Sequence, residues 1–172
     1  MDWLYDGSKR PDFAIEPLAG QESVWDYKRP PVIRREIRHV RVIANGITVA
    51  ESMDALRVLE TASPPGIYIP PEDVHFEYLI ASASSTYCEW KGRASYWSLK
   101  LGDVWIRNAA WSYPFPFEEF KKIGNYMSFY PAMLECWLGG ERVKPQPGTF
   151  YGGWITHDIV GPFKGAPGTE SW

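Results

Sequence analysis

The clearest periodic pattern in the chain is an alternation of apolar and polar residues on both sides of Asn45-Gly46. Val40 and Val42 alternate with charged residues before this dipeptide, and the alternation resumes at Ile47. Strict alternation places every second side chain on one face of a strand, and Asn-Gly tolerates the positive φ angles of a two-residue turn. The pattern therefore predicts an antiparallel hairpin.

A second alternating region, rich in aromatic residues, occupies the middle of the chain. Between Ser85 and Tyr113 large side chains alternate with small or charged ones, and Gly92 and Leu101-Gly102-Asp103 interrupt the pattern. These features indicate three strands joined by turns. A further strand is expected at Arg57–Thr61.

Helical spacing is convincing only after Pro116. Phe117, Phe120 and Ile123 share one face there, and Gly124 follows where a helix would end. Pro70-Pro71-Glu72-Asp73 instead predicts a turn or a single 3₁₀ turn. Together these patterns predict an all-β fold of curled antiparallel sheets with one short helix.

The two ends of the chain lack a sustained period. Residues 1–31 and 144–172 are rich in Pro, Gly and polar residues, which is typical of irregular arms. Their aromatic residues are too numerous for free linkers, so we expect both arms to dock at least partly on the domain at 32–143. With 172 residues, 45% of them hydrophobic, the chain is long enough for one domain with its own core.

Charge and composition exclude several classes of partner. The net charge of −3 provides no global field to attract nucleic acid or an anionic membrane. No apolar stretch approaches the roughly 18 residues of a membrane helix, and the first residues do not resemble a signal peptide. Two cysteines without C-x-x-C spacing suit a reducing compartment, so we expect a cytoplasmic protein.

One segment is locally basic. It contains Lys28, Arg29, Arg34, Arg35, Arg38 and Arg41 against the single acid Glu36. Such a run could hold a phosphate group, although a solvated strand face explains it more simply.

Five short blocks occur in order between Arg34 and Pro131. They are RHVRVIANGITVAES, RVLETASPPGIYIPPEDV, TYCEWKGRASYW, AAWSYPFPF and SFYP. As an ordered set they resemble the family called domain of unknown function 427. The motif positions of that family fall on Glu60, Tyr68, Pro70, Asp73, Val74, Thr86, Cys88, Lys91, Gly92, Trp111, Ser112, Tyr113, Pro114, Pro116, Phe129, Tyr130 and Pro131. The departures are Glu89-Trp90, where many members have Pro-Tyr, and Ser128, where Ala is usual.

The resemblance implies a small all-β fold similar to the β-tent of methionine sulfoxide reductase B and the cereblon ligand-binding domain. Those proteins often hold zinc through paired cysteines. This sequence has no such pairs and its three histidines are scattered, so no metal is expected. No P-loop or other cofactor motif occurs either, so the cofactor is unknown.

Cys88 and Lys91 are the first candidates for chemistry. A thiol beside an ammonium is a good nucleophile or redox centre. Three residues apart on a strand, the two side chains point to opposite faces unless a turn at Lys91-Gly92 intervenes. The simpler interpretation of Cys88 is a small buried hydrophobic residue.

Glu60 and Asp73 are candidate acid/base or hydroxyl-binding groups because each lies beside a proline turn. Asp73 is equally well explained as a cap of the 3₁₀ turn. An inward-facing Glu60 needs a cationic partner, for which Lys91 or Arg57 is expected.

Three functions remain open from the sequence. The first is a small-molecule-binding module whose aromatic, polar-rimmed pocket contains Glu60, Tyr68, Asp73, Lys91, Trp111, Tyr113 and Tyr130. The second is an enzyme that uses Cys88, Lys91 and Glu60, either in thiol chemistry or on a phosphorylated substrate. The third is an interaction protein whose arms dock on a protein partner or a second copy of the chain.

Overall fold

The computed structural model describes residues 3–172, and their regular structure is almost entirely β. The strands, numbered in chain order, are β1 Glu22–Ser23, β2 Val32–Arg35, β3 Val40–Ala44, β4 Ile47–Ser52, β5 Leu56–Leu59, β6 Gly66–Tyr68, β7 Leu79–Cys88, β8 Gly92–Leu101, β9 Val104–Ser112, β10 Ser128–Phe129, β11 Glu135–Leu138, β12 Glu141–Arg142, β13 Lys144–Pro145, β14 Trp154–Ile155 and β15 Ile159–Val160. The expected all-β fold of curled sheets is confirmed.

Two four-stranded antiparallel sheets enclose the main core. One has the order β10-β9-β8-β7 and the other the order β12-β11-β3-β4. The hairpin predicted around Asn45-Gly46 is β3–β4, and both turn residues have positive φ angles, 47° and 74°. Val42 from β3 and Leu99 from β8 are fully buried between the sheets, as alternation requires of their inward faces.

A third sheet, β2-β5-β6, lies beside a second apolar cluster. Val58 of β5 and Tyr68 of β6 pack there against Trp111 near the end of β9 and Tyr113 just after it. The strand predicted at Arg57–Thr61 is therefore present as β5, which begins one residue earlier than predicted and ends two residues earlier. The three strands predicted between Ser85 and Tyr113 are β7, β8 and β9.

The helical segments of residues 3–172 are 3₁₀ helices at Val24–Asp26, Pro71–Asp73, Phe76–Tyr78 and Glu118–Ile123. The last is the predicted short helix. It buries Phe120 and Ile123 in the second apolar cluster, and six residues are too few for a stable isolated α-helix.

Both arms pack on the domain and contact each other. β1 of the first arm pairs in parallel with β15 of the second. Trp25 and Trp154 are 0% and 1% exposed, and the Trp154 indole N–H donates to the Phe129 carbonyl at 3.0 Å. A buried tryptophan contributes about 3–5 kcal/mol when judged by truncation to alanine, so each arm is held firmly.

The basic run does not form one cluster. Arg38 pairs with Glu36 and Asp158, whereas Arg34 and Arg35 are exposed on β2. Within residues 3–172 no helix is long and apolar enough to span a membrane.

Candidate functional site

A cavity of about 230 Å³ opens between the second apolar cluster and the two arms. It is lined by Trp3, Val58, Glu60, Ser63, Pro64, Gly66, Tyr68, Thr86, Tyr87, Cys88, Glu89, Trp90, Lys91, Tyr96, Trp111, Tyr113, Tyr130, Gln146, Phe150, Tyr151, Gly152, Gly153 and Lys164. Pockets for drug-sized ligands begin near 300 Å³, so this cavity suits a molecule of about one ring.

The turn between β7 and β8 brings Cys88 and Lys91 to the same cavity. Cys88 is paired with Gly92 across the hairpin, so Glu89–Lys91 form a three-residue loop. Gly92 closes the loop with a φ of +101°, which an L side chain rarely adopts. The turn overrides the strand alternation that would separate the two side chains.

Lys91 is a cation among thiol and phenol groups. Burial lowers the pKa of Lys91, but the neighbouring Tyr68 and Cys88 raise it by more, so the net pKa lies above its ordinary value. The ammonium also lies 5.6 Å from the centre of the Tyr113 ring. Within residues 3–172 Lys91 forms no ion pair with a carboxylate.

Phenol groups form part of the polar lining of the cavity. Burial raises the pKa of Tyr113, and Tyr68 and Cys88 raise it further, so its hydroxyl keeps its proton. Burial also raises the pKa of Tyr130, which donates a hydrogen bond to the Phe150 carbonyl at 2.9 Å. The Tyr113 hydroxyl is a donor that can be aimed at an anion, whereas the Tyr130 hydroxyl is already engaged.

Aromatic rings form the wall beside these phenols. Trp111 lies 4.5 Å from Tyr130 and 6.4 Å from Tyr68, measured between ring centres. Thr86 of β7 and Tyr96 of β8, which also line the cavity, share a hydrogen bond of 3.0 Å. Flat surfaces of this kind favour a flat ligand.

Glu60 lines the cavity, but the prediction that it pairs with Lys91 or Arg57 is wrong. Its Oε1 accepts from Arg29 Nε and from Trp90 Nε1, both at 3.2 Å. Arg57 instead bonds Glu22, and no ion pair joins Glu60 to Lys91 among the described side chains. Arg29 belongs to the first arm, and no local pattern in the sequence links it to Glu60.

Asp73 does not line the cavity, contrary to the expectation for the pocket. Its Oδ2 accepts a hydrogen bond from Ser52 Oγ at 2.6 Å. The proline turn directs it toward Ser52 of β4, whereas Cys88 and Lys91 line the cavity. Its side chain does not cap the start of the 3₁₀ helix either.

Residues from both arms complete the cavity, and the sequence analysis missed all of them. Trp3 comes from the first arm, and the largest contribution comes from the second arm between Gln146 and Lys164. The Lys164 ammonium lies 4.8 Å from the Trp3 ring and 5.7 Å from the Tyr151 ring. The aromatic residues of the arms predicted that the arms dock on the domain, but no sequence feature predicted that they line this cavity.

The described residues contain no group of three or more His, Cys, Asp or Glu side chains placed to hold a metal ion. Cys88 and Cys136 are both free thiols. The cavity lining carries two ammonium groups, Lys91 and Lys164, together with hydroxyls, aromatic N–H groups and the carboxylates of Glu60 and Glu89. Because Glu60 is already bonded to Arg29 and Trp90, the donors around Lys91 suit an oxyanion better than a cation.

The comparisons with known proteins agree with the resemblance in the motifs. No curated protein matches the chain. A family model described as "Domain of unknown function (DUF427)" matches residues 32–140, more than half of the chain. The matched segment contains Glu60, Cys88, Lys91 and Trp111, whereas the arm residues that complete the cavity lie outside it. The chain belongs to the DUF427 family.

Proposed function

We propose that this protein binds a small acidic molecule with one flat ring in the cavity. The observation that carries the proposal is Lys91, an ammonium facing the cavity without a carboxylate partner in residues 3–172. A partly buried cation of this kind gains most from an anion that enters its site.

The surroundings of Lys91 select the rest of the ligand. The Tyr113 hydroxyl stays protonated and can donate to an oxyanion beside the ammonium. Trp111 and Tyr68, which pack edge to face against each other, line the cavity with aromatic surface that a flat ring can contact. The volume of about 230 Å³ leaves room for about one ring with its acid group.

The test is a thermal-shift series with benzoate, the neutral isostere benzamide, and inorganic phosphate. Benzoate at about 100 times its Kd adds roughly 2.7 kcal/mol, which raises the melting temperature by roughly 5–10 °C in a chain of this size. Benzamide should produce little shift because it cannot pair with the ammonium.

Two variants test whether the benzoate shift depends on Lys91. Lys91→Met keeps the length of the side chain and should abolish the benzoate shift, whereas Lys122→Met, on the exposed face of the 3₁₀ helix, should keep it. An equal shift with benzamide would contradict the role of Lys91. If no compound moves the transition of the wild type, the proposal fails and docking through the arms becomes the better explanation.

A further inference from the structure

The two cysteines of the chain have opposite environments. Cys136 lies in β11, is 0% exposed, and has its pKa raised mainly by burial. Cys88 ends β7, is partly exposed, and lines the cavity. Only one of the two thiols can meet a dissolved molecule, and the other is an internal reference for an inert thiol.

Cys88 also has the neighbours that a nucleophile needs. The hairpin loop places Lys91 beside it, and the Cys88 sulfur contributes to the pKa of both Lys91 and Tyr113. The Lys91 ammonium can hold a carboxylate beside the sulfur, and a protonated phenol can supply a proton to an atom next to the one attacked.

We propose that Cys88 is a nucleophile that forms a thioether with acidic electrophiles entering the cavity, with Lys91 pairing with their carboxylate. This inference rests on the proposed function, because Lys91 must attract the acid that Cys88 attacks. The ligand class is an α,β-unsaturated carboxylic acid. Haloacetates mimic this class because they combine the same acid with an electrophilic carbon.

The reaction balances without an oxidant or a reductant. The Cys88 thiolate, having lost its proton to solvent, donates an electron pair to the β-carbon, and a sulfur–carbon bond forms. The carbon–carbon π bond breaks, its electrons move to the α-carbon, and that carbon takes a proton from Tyr113. Solvent then reprotonates the phenol. With iodoacetate, the same thiolate displaces iodide, which leaves with the carbon–iodine electron pair.

Alkylation of the full chain with iodoacetate and iodoacetamide tests the proposal. The extent of modification at each cysteine is followed by peptide mass spectrometry, with N-acetylcysteinamide as the reference thiol. We expect Cys88 to be modified and Cys136 to stay protected until the chain is unfolded. The rate ratio of iodoacetate to iodoacetamide at Cys88 should exceed that of the reference by about tenfold, since one nearby unit charge is worth that much.

Variants separate thiol reactivity from attraction of the acid. Lys91→Met should slow both reagents at Cys88 and remove the preference for iodoacetate, whereas Lys122→Met should change neither. Cys136→Ala should leave the Cys88 rates unchanged. Saturating benzoate should slow carboxymethylation of Cys88 in the wild type.

The outcomes also distinguish the two proposals. If benzoate stabilises the protein but Cys88 reacts no faster than the reference thiol, the thioether proposal is overturned and the binding function stands. If Cys88 reacts rapidly with both reagents alike and benzoate neither protects it nor shifts the melting temperature, the acid-binding function fails and the preference for acids fails with it.

Discussion

Glu60 and Lys91 line the same cavity, but their partners give them different roles. Glu60 is bonded to Arg29, whose side chain is 2% exposed and also donates to the carbonyls of Tyr5 and Thr61. Glu60 therefore holds the first arm on the domain through Arg29. The Tyr68 and Cys88 side chains act most strongly on Lys91, and within residues 3–172 Lys91 forms no ion pair with Glu60, which leaves its charge available to a ligand.

Replacement of Glu60 should therefore affect stability more than binding. Glu60→Ala removes the charge partner of a buried guanidinium and should lower the free energy of unfolding by about 2–4 kcal/mol. Glu60→Gln retains an oxygen for Arg29 and Trp90 and should lose less, with the benzoate shift preserved. Urea unfolding and thermal shift measure the two effects. Loss of the benzoate shift in a folded Glu60→Gln protein would instead assign this side chain to the ligand.

At the scale of elements, local patterns predicted the domain and long-range contacts built the site. Asn45-Gly46 fixed the β3–β4 hairpin because the turn chemistry is contained in two residues. The aromatic alternation likewise identified β7, β8 and β9. The Arg29–Glu60 contact joins residues 31 positions apart, and nothing in either sequence neighbourhood specifies it. Asp73 was misplaced for a related reason, since a proline turn indicates a bend but not the direction in which its side chain points.

The segment between Gln146 and Gly153 is the element that closes the cavity, and Gly152 lets it approach. A Cβ added at Gly152 would lie 2.3 Å from the Trp111 ring and 3.0 Å from the Tyr130 ring. Tyr130 also donates its hydroxyl proton to Phe150 in this segment. The close contact therefore requires a residue without a side chain.

Gly152→Ala should push this segment away from Trp111. We expect a loss of about 1–3 kcal/mol in the free energy of unfolding, as for other overpacked contacts, and a weaker benzoate shift because the wall of the cavity moves. Ser63→Ala, which alters another lining position without adding atoms, is the matched control. A Gly152→Ala protein with unchanged melting temperature and unchanged ligand shift would show that the segment does not close the site.

In the whole molecule, ion pairs tie the two arms to the domain. Glu22 of the first arm bonds Arg57 of β5, and Asp158 of the second arm bonds Arg38 before β3. Burial raises the pKa of Glu22, but hydrogen bonds from Arg57 and Tyr27 lower it by more. For Asp158, burial likewise raises the pKa, and bonds from Thr156 and Arg38 outweigh it. Both carboxyls therefore have lowered pKa values in the folded protein.

Acid should therefore loosen the arms. A carboxyl whose pKa is lower in the folded state contributes stability that is fully present above its unfolded pKa, 4.5 for Glu22 and 3.8 for Asp158, and that is lost as the pH falls through the folded value. Since both groups are partly solvated, each contributes up to about 1 kcal/mol. Melting temperatures between pH 7 and pH 3 should fall most steeply below about pH 4.5.

Glu22→Gln fixes the neutral form at every pH, so it should lower the melting temperature at pH 7 and flatten the fall at acid pH. Glu119→Gln, an exposed acid of the 3₁₀ helix, should follow the wild type. Because the arms also form part of the cavity wall, the benzoate shift of the wild type should weaken over the same acid range, beyond the loss expected from protonation of benzoate itself. Parallel acid profiles for Glu22→Gln and the wild type would show that this ion pair does not hold the first arm, and would leave the Arg29–Glu60 ion pair and the buried Trp25 to hold it.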